Sequence, residues 1–256
     1  QKHYLKIEMA QVDTFFESAS STACHVVSCK KTKEAAIIDS VLDYNHNSGT
    51  TSTEFADKVL AHVAEQGLNV KYILETHAHA DHLTAAPYLK QKLGNKPVTA
   101  IGELITGVQK TFQKIYNATN WDVSGWQWDR LLKDGDKLEL GTHTLEALWT
   151  PGHTPDHLSY LIRDDCVFTG DSLFMPDQGT ARCDFPNGSA EQLWGSINKI
   201  LSLSPSTRVF VGHDYAPGGR APAWQTTVDE EKGNIHLKGG ETDFLTMRQT
   251  RDGTLD

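Results

Sequence analysis

Apolar residues recur along this chain in two different periods, and the alternation between them predicts the elements. Residues 35–38 (Ala-Ala-Ile-Ile) form a short apolar run ending at Asp39, the pattern of a buried strand. Across residues 53–66, Phe55, Val59, Leu60 and Val63 recur on one helical face, and Gly67 stands where a helix C-terminus would be capped. Residues 70–74 predict a strand that runs straight into the polar cluster 75–82. Residues 83–93 then read as a helix stopped by Gly94. Farther on, residues 137–140 and 144–149 flank Gly141, and residues 158–162 and 166–168 flank Asp164-Asp165, so both read as strand pairs. Residues 190–201 are again helical, and 208–211 form a last apolar strand. Strands interleaved with helices predict sheets packed face to face with helices outside. No repeat or Pro/Ser linker interrupts the pattern, so one domain over residues 1–256 is expected.

Composition narrows the function classes. Of the 256 residues 38% are hydrophobic, enough for a core and against a disordered chain. The formal charge of −9 offers no positive field for nucleic acid. No apolar run approaches the roughly 18–20 residues of a membrane span. Residues 1–10 lack the apolar core of a signal peptide. Cys24, Cys29, Cys166 and Cys183 form no CxxC pair, the usage of a reduced protein, so a cytoplasmic location is expected.

The chemistry concentrates after strands. Thr76-His77-Ala78-His79-Ala80-Asp81-His82 follows one directly, and in extended chain His77 and His79 would aim at one point. Three imidazoles and a carboxylate within six residues are a supply of metal ligands. Three more predicted strands end similarly, at Gly152-His153, Gly170-Asp171 and Gly212-His213. Glycine before each candidate permits a tight turn and leaves space for an ion.

These motifs, with the stretches LETHAHADHLTAAPYLK, TPGHTPDHLSYLI, FTGDSLFMPDQGTARCDFP and VFVGHDY, resemble the metallo-β-lactamase superfamily and, within it, the persulfide dioxygenases. The resemblance implies an α/β fold, an αββα sandwich of two mixed sheets flanked by helices, with metal at one edge. It implies one Fe(II) per chain on His77, His153 and Asp171, with His79, Asp81, His82 and His213 supporting them. Spacing alone equally permits two zinc ions with Asp171 bridging, as in a hydrolase of glyoxalase II type. The polar stretch after His213, without the added helical domain of such a thioesterase, favours the dioxygenase.

The implied reaction oxidises glutathione persulfide with O₂ and water to sulfite and glutathione, in a homo-oligomer, expected as a dimer. Glutathione carries carboxylates, so the pocket needs cations, and Arg182 is the first candidate. Tyr215 would hydrogen-bond substrate or ligand, and Asp184 would support the site. Cys183 reads as a spectator and His157 as a hydrogen-bonding residue. Trp121, Trp126 and Trp128 would form a lid, a subunit contact or packing over the sheet edge.

Overall fold

Neighbouring residues of a strand project to opposite faces, and this alternation divides the apolar side chains between inner and outer cores. The computed structural model describes residues 8–255. Its first half supplies β1 (Gln11–Glu17), β2 (Thr22–Ser28), β3 (Glu34–Ile38), β4 (Val41–Asn45), β5 (Thr50–Ser52), α1 (Glu54–Glu65), β6 (Asn69–Leu74), β7 (Leu83–Thr84), α2 (Ala86–Lys92), β8 (Val98–Gly102), α3 (Ile105–Ile115) and β9 (Arg130–Leu132). The second half supplies β10 (Lys137–Leu140), β11 (His143–Trp149), β12 (Leu158–Ile162), β13 (Cys166–Gly170), α4 (Ala190–Leu201), β14 (Arg208–Val211), β15 (Gln225–Thr227), α5 (Val228–Glu231) and α6 (Gly240–Asp252).

Two six-stranded sheets result, in the orders β1-β2-β3-β6-β8-β9 and β10-β11-β12-β13-β14-β15, and both are mixed. The first is parallel from β3 to β9. The second is antiparallel except where β13 meets β14. A small sheet, β5-β4-β7, accompanies them. Ile38, Leu74, Phe168 and Phe210 share the inner core. Ile37 and Ile73 point the other way and pack with Phe55, Val59 and Leu89 of α1 and α2. Val167, Val209 and Val211 pack with Leu193 and Ile197 of α4 and Phe244 of α6. This is the αββα sandwich expected from the sequence.

Two local expectations are corrected. The helix expected over 83–93 starts at Ala86, because Leu83 and Thr84 pair with Val41 and Leu42. Pro87 suits a helix start, and the Thr84 hydroxyl accepts the Ala86 N–H at 3.0 Å. The stretch after His213, taken as merely polar, folds into β15, α5 and α6 and buries Phe244 completely. Among the described residues no helix is long and apolar enough to cross a membrane.

Glu231 at the end of α5 is fully buried, with one carboxyl oxygen accepting from Asn234 at 2.9 Å and the other unpartnered. Burial, reinforced by the nearby Glu230 and Asp177, pushes it up to about 8. The native state therefore keeps a proton that the unfolded chain has released, and stability falls as pH rises from about 4.5 through about 8. Glu231→Gln should raise the urea midpoint at pH 8, with the gain shrinking towards pH 5.

Candidate metal centre

Several strands from both sheets bring their C-terminal ends to one rim. There β3 runs into Asp39, β6 into Glu75, Thr76 and His77, β13 into Asp171 and β14 into His213. His153 follows β11, in the connection to β12. His77, His153 and Asp171 are buried and bring one ligand atom each within 4.8 Å of one another. Asp171 Oδ2 lies 3.5 Å from His153 Nε2 and 3.9 Å from His77 Nε2. Atoms about 2 Å from a common ion stand roughly 3–4 Å apart, so this donor set fits one. His77 Nε2 is buried with no hydrogen-bond partner, a cost of about 1–3 kcal/mol that an ion would remove.

Neighbours dictate which nitrogen of each ring is free. His77 Nδ1–H donates to the Thr76 hydroxyl at 2.9 Å, and that hydroxyl donates to Asp39 Oδ2 at 3.0 Å. His153 Nδ1–H donates to the Arg182 carbonyl at 2.7 Å. Both rings therefore present an Nε2 lone pair to the shared focus. Burial, and then the histidines around it, hold His77 well below its ordinary value, so it stays neutral as a ligand must.

His213 spans two carboxylates, with Nδ1 2.6 Å from Asp171 Oδ1 and Nε2 2.8 Å from Asp81 Oδ2. Burial opposes its charge, but the two carboxylates outweigh burial and push it up to about 10. Asp171 is drawn down to about 2, because His213 and His153 overcome the burial penalty.

His79 stands outside the group of His77, His153 and Asp171. Residues 77–80 are not a strand, and His79 Nε2 turns to Asp39 Oδ1 at 3.2 Å and Glu75 Oε2 at 3.1 Å, which leaves its Nδ1 buried without a partner. Those carboxylates outweigh burial and hold it well above its ordinary value. His82 Nδ1 lies 3.0 Å from Asp81 Oδ2, while its Nε2 is buried without a partner. His79, Asp81 and His82 thus make a second group with ligand atoms within 4.8 Å.

The glycines leave space for protein atoms rather than for an ion. Gly170 adopts φ +47°, and a Cβ there would stand 2.5 Å from Thr76 Oγ1 and 2.7 Å from His157 Nε2. His157 Nε2 in turn accepts the Asp171 N–H at 3.0 Å. Cys183 is buried among α4 and α6 side chains, and burial pushes its thiol up to about 12, which leaves it inert. Trp121 and Trp126 are exposed, whereas Trp128 packs near α2 and α3.

A cavity of about 620 Å³ opens on His153 and Asp171. Arg182, Tyr215, Arg248 and Arg251 line it with His153 and Asp171. The Arg182 guanidinium forks onto Asp184 through Nε and Nη2. The Tyr215 ring lies nearly parallel to that of His213, centroids 6.0 Å apart. Arg248 and Arg251 were not foreseen; their signal is two arginines one turn apart on a helix carrying Phe244.

Residues 19–213 match the metallo-beta-lactamase superfamily. The chain belongs to it. One member of similar sequence, a beta-lactamase hydrolase-like protein of Xylella fastidiosa, is 49% identical over 251 residues, 97% of this chain but 58% of that protein. The chain thus spans little more than half the length of that relative. The mitochondrial persulfide dioxygenase ETHE1 of Bos taurus is 32% identical over 202 residues, 78% of this chain and 66% of its own. The crystal structure of ETHE1 from Myxococcus xanthus superposes with a TM-score of 0.73 at 30% identity, covering 96% of this chain and 92% of that one. The chain is therefore a metallo-β-lactamase-fold protein homologous to the ETHE1-like persulfide dioxygenases.

Gly170→Ala should cost more than about 1 kcal/mol in a urea titration, since the added methyl meets both a left-handed backbone and two side chains. Elemental analysis should show reduced metal content in the same variant, because Thr76 and His157 position His77 and Asp171.

Proposed function

We propose that this chain is an iron-dependent persulfide dioxygenase that converts glutathione persulfide, O₂ and water to glutathione and sulfite. The observation that supports it most is the pairing pattern at the rim. His77, His153 and Asp171 keep ligand atoms within 4.8 Å of one another for a common focus, while His213 gives both ring nitrogens to carboxylates and His79 gives its Nε2 to Asp39 and Glu75. Two histidines and one carboxylate with open positions suit non-haem iron. The metal, when bound, supplies the binding of dioxygen and sulfur and the oxidising chemistry.

The remaining work falls to the chain's own groups. Thr76 and the Arg182 carbonyl hold the Nδ1 protons of His77 and His153 away from the focus. His213 occupies Asp171 Oδ1 and leaves Oδ2 towards the other two ligands. Arg251 brings positive charge to the wall of the cavity, and Arg182, forked onto Asp184, would exchange part of that pairing for the carboxylates of a tripeptide. Phe174 and Phe185 supply apolar wall that excludes water from the reacting sulfur. The reading extends to a single-domain, cytoplasmic homodimer, following the family resemblance.

A dinuclear zinc hydrolase of glyoxalase II type is the second reading. It is favoured by the adjacent His79, Asp81 and His82 group and by the hydrolase-like description of the Xylella fastidiosa relative. Elemental analysis with an oxygen electrode decides between them. About one iron per chain and oxygen uptake dependent on glutathione persulfide, with sulfite formed, is expected. Two zinc ions with cleavage of a glutathione thioester and no oxygen uptake would replace the first reading by the second.

Arg182→Ala removes a side chain from the cavity but keeps the carbonyl that receives His153. Steady-state kinetics should show KM raised several-fold with metal content unchanged.

A further inference from the structure

The ring of His153 is oriented by a carbonyl, and that carbonyl belongs to a segment with neither helix nor strand, residues 179–184. Side chains from the last quarter of the fold hold this segment. Thr180 N–H donates to His236 Nδ1 at 3.0 Å. Arg248 Nη1 donates to the carbonyls of Thr180 and Ala181. Cys183 N–H donates to Asp252 Oδ2 at 2.9 Å. Arg248 is buried, and its Nη1 stands 3.8 Å from Asp252 Oδ1, which has no hydrogen-bond partner of its own.

The amide joining Arg182 to Cys183 therefore has a partner at each pole. Its N–H meets the Asp252 carboxylate, and its C=O meets the His153 Nδ1–H. No peptide bond among the described residues is cis, and a planar trans amide points its N–H and C=O in opposite directions. Fixing one pole fixes the other. An anion at the N–H pole also polarises the amide and strengthens its oxygen as an acceptor. A metal-binding histidine commonly gives its second N–H to a carboxylate or a backbone carbonyl, which sets the tautomer and raises the ring's donor strength. Here one peptide unit stands between the carboxylate and the ring. The Arg182 side chain takes no part, being occupied by Asp184.

We propose that Asp252 of α6 is a positioning residue for His153, acting through the single amide between Arg182 and Cys183, with Arg248 holding the same segment from its carbonyl side. The proposal rests on the reading of His153 as a metal ligand.

Zinc(II) titration against a competing chelator and nitrogen-15 NMR of the histidine rings in the metal-free full chain test it. Asp252→Asn should weaken zinc binding about 10–100-fold and move the His153 Nδ1 proton signal towards that of a weaker hydrogen bond. Asp252→Glu should recover most of the affinity, and Glu241→Gln, exposed on the same helix, should change neither readout. Asp252→Ser provides a second uncharged variant if Asp252→Asn does not fold. Wild-type zinc affinity, or an unmoved His153 signal, in whichever of the two folds overturns the proposal. Failure of the dioxygenase reading would leave both readouts intact, because neither uses turnover. Unchanged zinc affinity in His153→Ala would instead remove the shared premise.

Discussion

A buried imidazole can offer one nitrogen to a common focus only when something takes the proton on the other. That requirement organises the whole rim. His77 is satisfied by a hydroxyl that leans on Asp39 at the end of a neighbouring strand, and His153 by a main-chain oxygen far along the chain. Asp171 is held by His213 on one oxygen and by His157 at its backbone N–H. None of these partners is close in sequence to all the others. Parallel pairing of β3 with β6 and of β13 with β14 brings them together, since adjacent parallel strands end on the same side.

Charge is distributed with the same economy. Asp39 and Glu75 share His79, and Asp81 and Asp171 share His213. Each pair of carboxylates closes on one imidazole, so these four carboxylates outnumber the two imidazoles they share. An enclosure of this sign favours a cation, and the neutral state of His77 keeps a lone pair available to meet it. The cavity beyond mixes the signs, with Arg182, Arg248 and Arg251 in its wall beside Asp81, Asp171 and Asp252. A ligand spanning both regions would place its anionic groups outward and its reactive end inward.

Much of this was legible because strand ends carry their chemistry locally. The helix at 190–201 was readable to the residue, with apolar spacing and a Ser189 side chain that accepts the Gln192 N–H. The segments before His77, Asp171 and His213 announced themselves as apolar runs broken by polar or glycine residues. What could not be read was direction after the strand ended. His77 and His79 look equivalent on paper, yet the bend at 77–80 sends one ring to the triad and the other to Asp39 and Glu75. Neither β1 nor the hydrogen bonds of residues 179–184 had a sequence signal, because the first is half-buried throughout and the second depend on partners about 50–70 positions away.

The anchoring of residues 179–184 by α6 sets an order of assembly. Every strand precedes α6 in the chain, so both sheets can form during synthesis while the support behind His153 is still missing. A chain at that stage lacks the Asp252 contact that fixes the amide whose oxygen receives the His153 Nδ1–H, so the third donor is the last to be tied to the scaffold.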